Sequence, residues 1–332
     1  MRGVTFSQRG EPADVARVSD LPTAPEPGVA DVRVSISLAP LHRGDLIGIE
    51  AAPDGTFAPR PLGSEGVGVI TATGETVGSL RVGDRVSVFP AQGAWSQQIT
   101  VPAEAAVAIP ATVSDEVAAV TLVNGITSHL VLRAVDEVRT AAGAARNTPL
   151  IVSAPASAVG RLIVRQALDR GVPVIAVART DRSAATVRSF FPEVAVVVTE
   201  HDGWQSRLRE FAGDRGVPAI ADAHGGDFVH EILPFLADAG TLVVWGDLAA
   251  RPWMLSTSDL LMRELRVQAV SISRWMARPD DVKIAGRQAA VRLAEQWPEL
   301  FSVYATYTLD RLRTAVEAVR ANGTGTVLLR LN

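Results

Sequence analysis

The stretch from Pro149 to Arg182 narrows the possible folds more than any other. Leu150-Ile151-Val152 is a short apolar run of the kind that forms a buried parallel strand. The small-residue segment Ala154-Pro155-Ala156-Ser157-Ala158-Val159-Gly160 follows. It leads into an amphipathic run with Leu162, Ile163, Ala167 and Leu168 at helical spacing. Gly171 ends that helix, and Val174 to Val177 supplies a second buried strand. The spacing predicts one βαβ unit, whose right-handed crossover and open helix N-terminus suit a dinucleotide.

The turn in this unit departs from the Gly-x-Gly-x-x-Gly pattern, in which glycines allow a tight turn, close approach of pyrophosphate and helix-on-strand packing. Ala154 and Ser157 stand where small residues are wanted, and Gly160 keeps the packing position. Small residues through Ala158 and Val159 still let a phosphate reach the backbone N–H groups of a helix start. On the turn alone, a βαβ unit that binds nothing is the alternative. The tip of the second strand weighs against it. Arg179-Thr180-Asp181-Arg182 begins with arginine where a site selecting a 2′-OH would place an acid, and arginine can clamp a 2′-phosphate. Arg179 and Arg182 therefore favour NADP(H) over NAD(H), and NADPH is the expected cofactor.

At 332 residues the chain exceeds one typical core, so two domains are expected. Hydrophobic residues make up 47%, enough for packed cores, and no apolar run is long enough to span a bilayer. Met1-Arg2-Gly3-Val4 shows no apolar signal region, which predicts a cytoplasmic protein. There are no cysteines, so disulfides, thiolate zinc sites, iron–sulfur clusters and a cysteine nucleophile are excluded. The net charge of −4 comes from interspersed signs and suggests no nucleic-acid surface.

Residues 1 to about 110 read as β-rich. Asp31 to Leu38 alternates as a half-buried strand does, and Val67–Thr71, Arg85–Phe89 and Gln97–Val101 are further short strands. Dense turn punctuation between them suits a small, irregular barrel. Ser114 is an expected N-cap for a helix opening with Asp115 and Glu116, and a second helix is expected over about 126–139. From there the pattern is doubly wound, with strands at 150–153, 174–178, 194–198, 218–222, 241–245 and 266–271. Helices are expected at Trp204–Phe211 and Asp227–Leu236. A helix (Ala285–Trp297), a strand (Val303–Thr308), a helix (Leu309–Arg320) and a strand (Thr326–Leu331) complete the chain.

With both halves in view, the chain resembles the medium-chain dehydrogenase/reductase superfamily over nearly its whole length. The blocks that carry the resemblance are Pro61–Ile70, Arg81–Val86, Gly93–Gln97 and Val123–Thr127, in that order ahead of the βαβ unit. Within the superfamily, Ser153–Gly160 and Ala178–Arg182 are similar to the zinc-free branch of quinone reductases and mitochondrial-type trans-2-enoyl-thioester reductases. Gly225-Gly226, Trp245-Gly246 and Ser271-Ile272-Ser273 also line up with it. The resemblance implies an α/β fold: a GroES-like β-barrel catalytic domain (1–120 with 280–332) and a doubly wound Rossmann NADP(H)-binding domain (121–279). It also implies Trp245, Gly246, Ser271 and Ser273 as cofactor contacts, and a homodimer formed by edge pairing of Rossmann strands. Zinc-dependent relatives place a histidine where this chain has Ser64, and cysteines elsewhere, so no catalytic metal is expected. The loop Glu50–Arg60 has no tyrosine, the residue that enoyl reductases of this type carry there; Tyr304 and Tyr307 are the only ones.

Reducing a polarised C=C bond needs a hydride, stabilisation of the developing enolate and a proton. Asn124 and Thr127 are candidates for the second role, against readings as a helix cap or kink and as a structural threonine. His42 titrates near neutrality and is the candidate proton donor, against a solvated loop residue. Asp45 is expected to orient the loop through backbone hydrogen bonds. The expected activity is NADPH-dependent reduction of an enone, a quinone or an enoyl thioester. A specialised biosynthetic oxidoreductase on the same scaffold and a non-catalytic NADP(H)-binding sensor are the alternatives. The expected partner is a small-molecule substrate, with no nucleic acid and no membrane.

Overall fold

The computed structural model describes residues 1–321 and 325–332. Its first strands are β1 (Arg2–Gln8), β2 (Arg17–Asp20), β3 (Asp31–Pro40), β4 (Thr56–Pro61), β5 (Gly66–Thr73), β6 (Arg85–Val88), β7 (Gln98–Pro102) and β8 (Ala106–Ala108). Helices α1 (Pro12–Val15), α2 (Arg43–Glu50) and α3 (Asp115–Ala118) lie among them, and α4 (Thr121–Ala141) follows. Then come β9 (Leu150–Ser153), α5 (Ala158–Asp169), β10 (Val174–Ala178), α6 (Asp181–Phe190), β11 (Ala195–Val198), α7 (Trp204–Ala212) and β12 (Val217–Asp222). The chain continues through α8 (Phe228–Ile232), β13 (Leu236–Val244), α9 (Thr257–Met262), β14 (Arg266–Ala269) and α10 (Asp280–Gln296). It ends with β15 (Val303–Thr308), α11 (Leu312–Ala321) and β16 (Thr326–Arg330). Two units divide these elements: Met1–Val123 with Arg287–Asn332, and Asn124–Gly286.

In the first unit the alternation read over Asp31–Leu38 becomes β3, whose residues alternate between buried and half-buried. Strand β3 is the hub of a seven-stranded sheet in the order β15-β16-β3-β5-β6-β8, with β7 also on β3. A three-stranded sheet, β2-β1-β4, accompanies it. Among the described residues no ladder joins β15 to β8, so the sheets curve around a core without closing into the ring that "barrel" implies. Trp95 fills the centre of that core and donates from Nε1 to Pro40 O at 2.8 Å.

In the second unit six strands run parallel in the order β11-β10-β9-β12-β13-β14. Renumbered within the unit this is 3-2-1-4-5-6, the doubly wound order whose switch point lies beside the first strand. Strands β9 and β10 are buried along their whole length, as their unbroken apolar runs predict. Three expectations need correction, one being the helix expected from Ala285, which begins five residues earlier, at Asp280. The helix expected over 227–236 stops at Ile232, passes through a 3₁₀ turn at Leu233–Phe235, and gives way to strand at Leu236; Pro234 cannot donate the helical bond there. The helix expected from about 126 begins five residues earlier, at Thr121.

Candidate functional site

Parallel strands deliver their loops to one edge of the sheet, and the cofactor residues expected from sequence all follow C-terminal strand ends there. After β9 the chain turns at Ala154, which takes a left-handed φ of +48° although it is not glycine. Ser157 caps α5: its Oγ accepts from Gly160 N at 3.1 Å and donates to Ala154 O at 2.8 Å. Ala158 and Val159, half-buried, occupy the first turn, where backbone N–H groups have no acceptor within the helix. The pattern of small residues therefore builds the same kind of turn as a glycine fingerprint, with local strain at Ala154. Left-handed alanine costs about 1 kcal/mol relative to glycine. Ala154→Gly is accordingly expected to raise the thermal midpoint by the equivalent of that amount; a lowered midpoint would contradict the strain.

Beyond β10, Arg179 and Arg182 are exposed, and neither takes part in an ion pair among the described residues. Thr180 caps α6 between them. Beside them Glu200 Oε1 accepts from Asp181 N at 2.6 Å, and His201 Nε2 lies 3.0 Å from Asp181 Oδ2. Among the described residues these three exposed side chains are the one group whose ligand atoms converge closely enough for a metal ion. The loop after β12 is organised by a buried pair: Ser153 Oγ donates to Asp222 Oδ1 at 2.5 Å. Asp222 also accepts from the amides of His224 (3.1 Å) and Gly225 (2.9 Å). Past β13, Trp245 is half-buried with an Nε1 that finds no partner among the described residues, and Gly246 packs against Ala223. Ser271 precedes the 3₁₀ turn Ile272–Ala277, half-buried, and Ser273 within that turn is exposed.

The expected catalytic residues lie on other elements. His42 begins α2, and its backbone N–H donates to Asp45 Oδ2 at 3.2 Å, the loop-orienting role expected of Asp45. Its Nε2 is 2.6 Å from Glu65 Oε2. Glu65 is fully buried, and its other oxygen accepts from Leu122 N (2.7 Å) and Val123 N (2.9 Å) at the start of α4. Burial disfavours the charged imidazole, but the bond to Glu65 and the charges of Glu65 and Asp45 outweigh it, and His42 is held above its ordinary pKa. Burial likewise pushes the Glu65 carboxyl up against the pull of His42 and the two amides. On α4, Asn124 and Thr127 are 5% and 6% exposed, and Asn124 Nδ2 has no hydrogen-bond partner among the described residues.

Family profiles match both halves of this arrangement: the alcohol dehydrogenase GroES-like domain over residues 28–111, and the zinc-binding dehydrogenase domain over 158–287. The chain belongs to the medium-chain dehydrogenase/reductase superfamily. It is an oxidoreductase of the medium-chain reductase type. Mitochondrial enoyl-[acyl-carrier-protein] reductase from Bos taurus is 27% identical over 294 residues, covering 85% of this chain and 76% of that protein. Quinone oxidoreductase of Escherichia coli, solved with NADPH, superposes with a TM-score of 0.82 at 21% identity, over 99% of this chain and 100% of its own. A mycobacterial structure complexed with NADPH gives 0.83 at 26%, over 99% of each chain.

Sequence reading of this reductase missed Glu65 and the Ser153–Asp222 pair as organising residues. The available signal was a carboxylate bordering an apolar strand: Glu65 just before β5, and Asp222 ending the apolar run of β12. Such a group stays buried only with partners.

Proposed function

We propose that the chain is an NADPH-dependent reductase, working without zinc, that transfers hydride to an activated C=C bond or a quinone. The observation that carries this reading is the pair of unengaged guanidiniums, Arg179 and Arg182, on the strand beside the phosphate-type turn. The residues present fit such a cofactor. The first-turn amides of Ala158 and Val159 suit a diphosphate, and the two arginines suit a 2′-phosphate. Trp245, Gly246, Ser271 and Ser273, on the same sheet edge, would add contacts. Asn124 Nδ2, buried without an acceptor, is a donor for a carboxamide or carbonyl oxygen. NADPH supplies the hydride when bound.

His42 keeps its proton to higher pH than a free imidazole and is the proposed proton source, with Glu65 holding the ring in place. Thr127 and Asn124 are the proposed stabilisers of developing negative charge. Zinc independence is supported by the donor set: the chain has no thiolate, and Ser64 stands where zinc-dependent relatives place histidine. The likeness to mitochondrial enoyl-[acyl-carrier-protein] reductase and to quinone oxidoreductase supports the acceptor classes. Homodimerisation through β14 is part of the proposal. Among the described residues that strand is the outer edge of the sheet, and Leu261, Met262 and Val267 are exposed on or near it.

NADPH oxidation against a panel of quinones, enones and enoyl thioesters tests the reading; binding without turnover on any of them overturns the enzymatic part. Replacing Arg179 and Arg182 by methionine is expected to weaken NADPH binding about 10–100-fold, the loss of one or two charge-assisted bonds, with NADH little affected. Tighter binding of NADH than NADPH by the unaltered chain would overturn the cofactor assignment.

A further inference from the structure

The tips of β10 and β11 are tied together where the two exposed arginines stand. Thr199 N donates to Ala178 O at 2.9 Å, and Glu200 N donates to Arg179 O at 3.2 Å. The second bond sets Glu200 beside the start of α6. Its Oε1 accepts from Asp181 N at 2.6 Å, the amide of the first residue of that ten-residue helix. Thr180 Oγ1 already caps Ser183 N, so Glu200 takes an amide that the helix itself leaves without an acceptor. The Asp181 carboxylate is engaged elsewhere, with Oδ2 3.0 Å from His201 Nε2. A carboxylate from the neighbouring strand tip therefore sits at the positive end of α6, on the amide that lies between Arg179 and Arg182 in the chain. Neither guanidinium forms an ion pair with it among the described residues. A helix-start amide flanked by two guanidiniums is the chemistry that receives a phosphate. Glu200 places a negative charge in it, and like charges at such range repel.

We propose that Glu200 is a specificity-determining residue of this corner: its carboxylate occupies the anion seat at the start of α6 and lowers the affinity of Arg179 and Arg182 for a 2′-phosphate. The preference for the phosphorylated nucleotide is then smaller than the two arginines alone would set. The inference rests on the NADP(H) reading above and concerns only the adenosine end of the nucleotide. Its competitor is a carboxylate that merely caps α6, and the two differ in the sign of what they predict.

Glu200→Gln keeps an oxygen for Asp181 N and removes the charge. It should bind NADPH and adenosine 2′-monophosphate about tenfold more tightly, the effect of one nearby charge at a protein surface. NADH and ADP, which carry no 2′-phosphate, should keep their affinities. Glu200→Ala empties the seat as well as removing the charge, and should show the same selective gain. A mere cap predicts no change with glutamine and a loss with alanine. Because Glu200 is exposed, the gain should shrink at about 1 M salt, where the screening length falls to about 3 Å. Titration calorimetry of both variants with the four ligands, at low and high salt, performs the test, and thermal unfolding of the free proteins checks that they are folded. Unchanged or weaker binding of NADPH in both folded variants overturns the proposal, as does an equal gain for NADH. If replacing Arg179 and Arg182 leaves NADPH affinity untouched, the 2′-phosphate reading falls and this inference with it. A chain that responds to those replacements but not to Glu200→Gln overturns the inference alone.

Discussion

Glu65→Ala is expected to lower the stability of the chain by about 3–5 kcal/mol, the cost of breaking a buried ionic pair from one side. One carboxylate oxygen meets His42 Nε2, and the other closes two orphan amides at the start of α4. Alanine leaves all three groups buried or nearly so without an acceptor, and opens space in the core beside them. Glu65→Gln retains an acceptor for the amides and should cost about 1–2 kcal/mol. The pH profile separates the two contributions. His42 and Glu65 both hold protons more tightly in the folded chain than their ordinary values, His42 because its bonding to Glu65 exceeds the effect of burial, Glu65 because of burial itself. Asp45, facing His42, is raised by burial as well. Groups raised in this way contribute their stability fully below their unfolded pKa and lose it as the pH climbs through the folded one. Stability should therefore decline as pH rises, starting above the ordinary values of the two carboxyls, 3.8 for Asp45 and 4.5 for Glu65, with the contribution of His42 lost above its own 6.5. Glu65→Gln should flatten that decline, because burial then acts on His42 without the carboxylate to oppose it. Urea unfolding of the three proteins across pH measures both effects; an alanine variant within about 1 kcal/mol of the parent would remove Glu65 from its organising role.

The same residues show what was legible in the sequence and what was not. Strands β9 and β10 could be read because a parallel strand buried on both faces is a continuous apolar run, and Leu150–Val152 and Val174–Val177 are such runs. Turn chemistry was equally local: small residues at 154–160 announced the helix start, and Ser114 and Ser157 both cap as their type suggests. Four sequence blocks in order carried the family. The start of α4 was misplaced for the opposite reason. Its first amides are capped by Glu65, 57 residues upstream of Leu122, and no window along the helix contains that acceptor. Strands β1, β2 and β4 went unread because β2 and β4 are largely exposed and β1 carries only Val4 and Phe6 as large apolar residues, so long-range pairing rather than a local pattern holds them. Arg161 was hidden by periodicity itself. Charge in an amphipathic helix is assigned to the wet face, whereas α5 is buried almost all round over its first two turns.

Gly160→Ala should reduce NADPH affinity about 10–100-fold and cost about 1–3 kcal/mol of stability, the range for forcing an extra methyl into a packed site. The methyl carbon would stand 2.2 Å from Ala154 O, 2.9 Å from Ser157 Oγ and 3.0 Å from Pro155 Cα. Two of these are backbone atoms of the turn, so no side-chain rotation relieves the clash. Ala154 O is also the atom that the left-handed φ of Ala154 presents to the helix, and it already accepts from Ser157 N (3.1 Å) and Ser157 Oγ (2.8 Å). Making room for the methyl means moving that carbonyl, which releases the cap and shifts the amides of Ala158 and Val159 from the positions proposed to receive the diphosphate. Stability and affinity should therefore fall together here. Thermal unfolding and NADPH titration of Gly160→Ala, set beside Ala154→Gly, decide the point. If alanine at 160 is tolerated with native affinity, the turn is not the rigid element on which cofactor binding depends, and the diphosphate must be held elsewhere on the sheet edge.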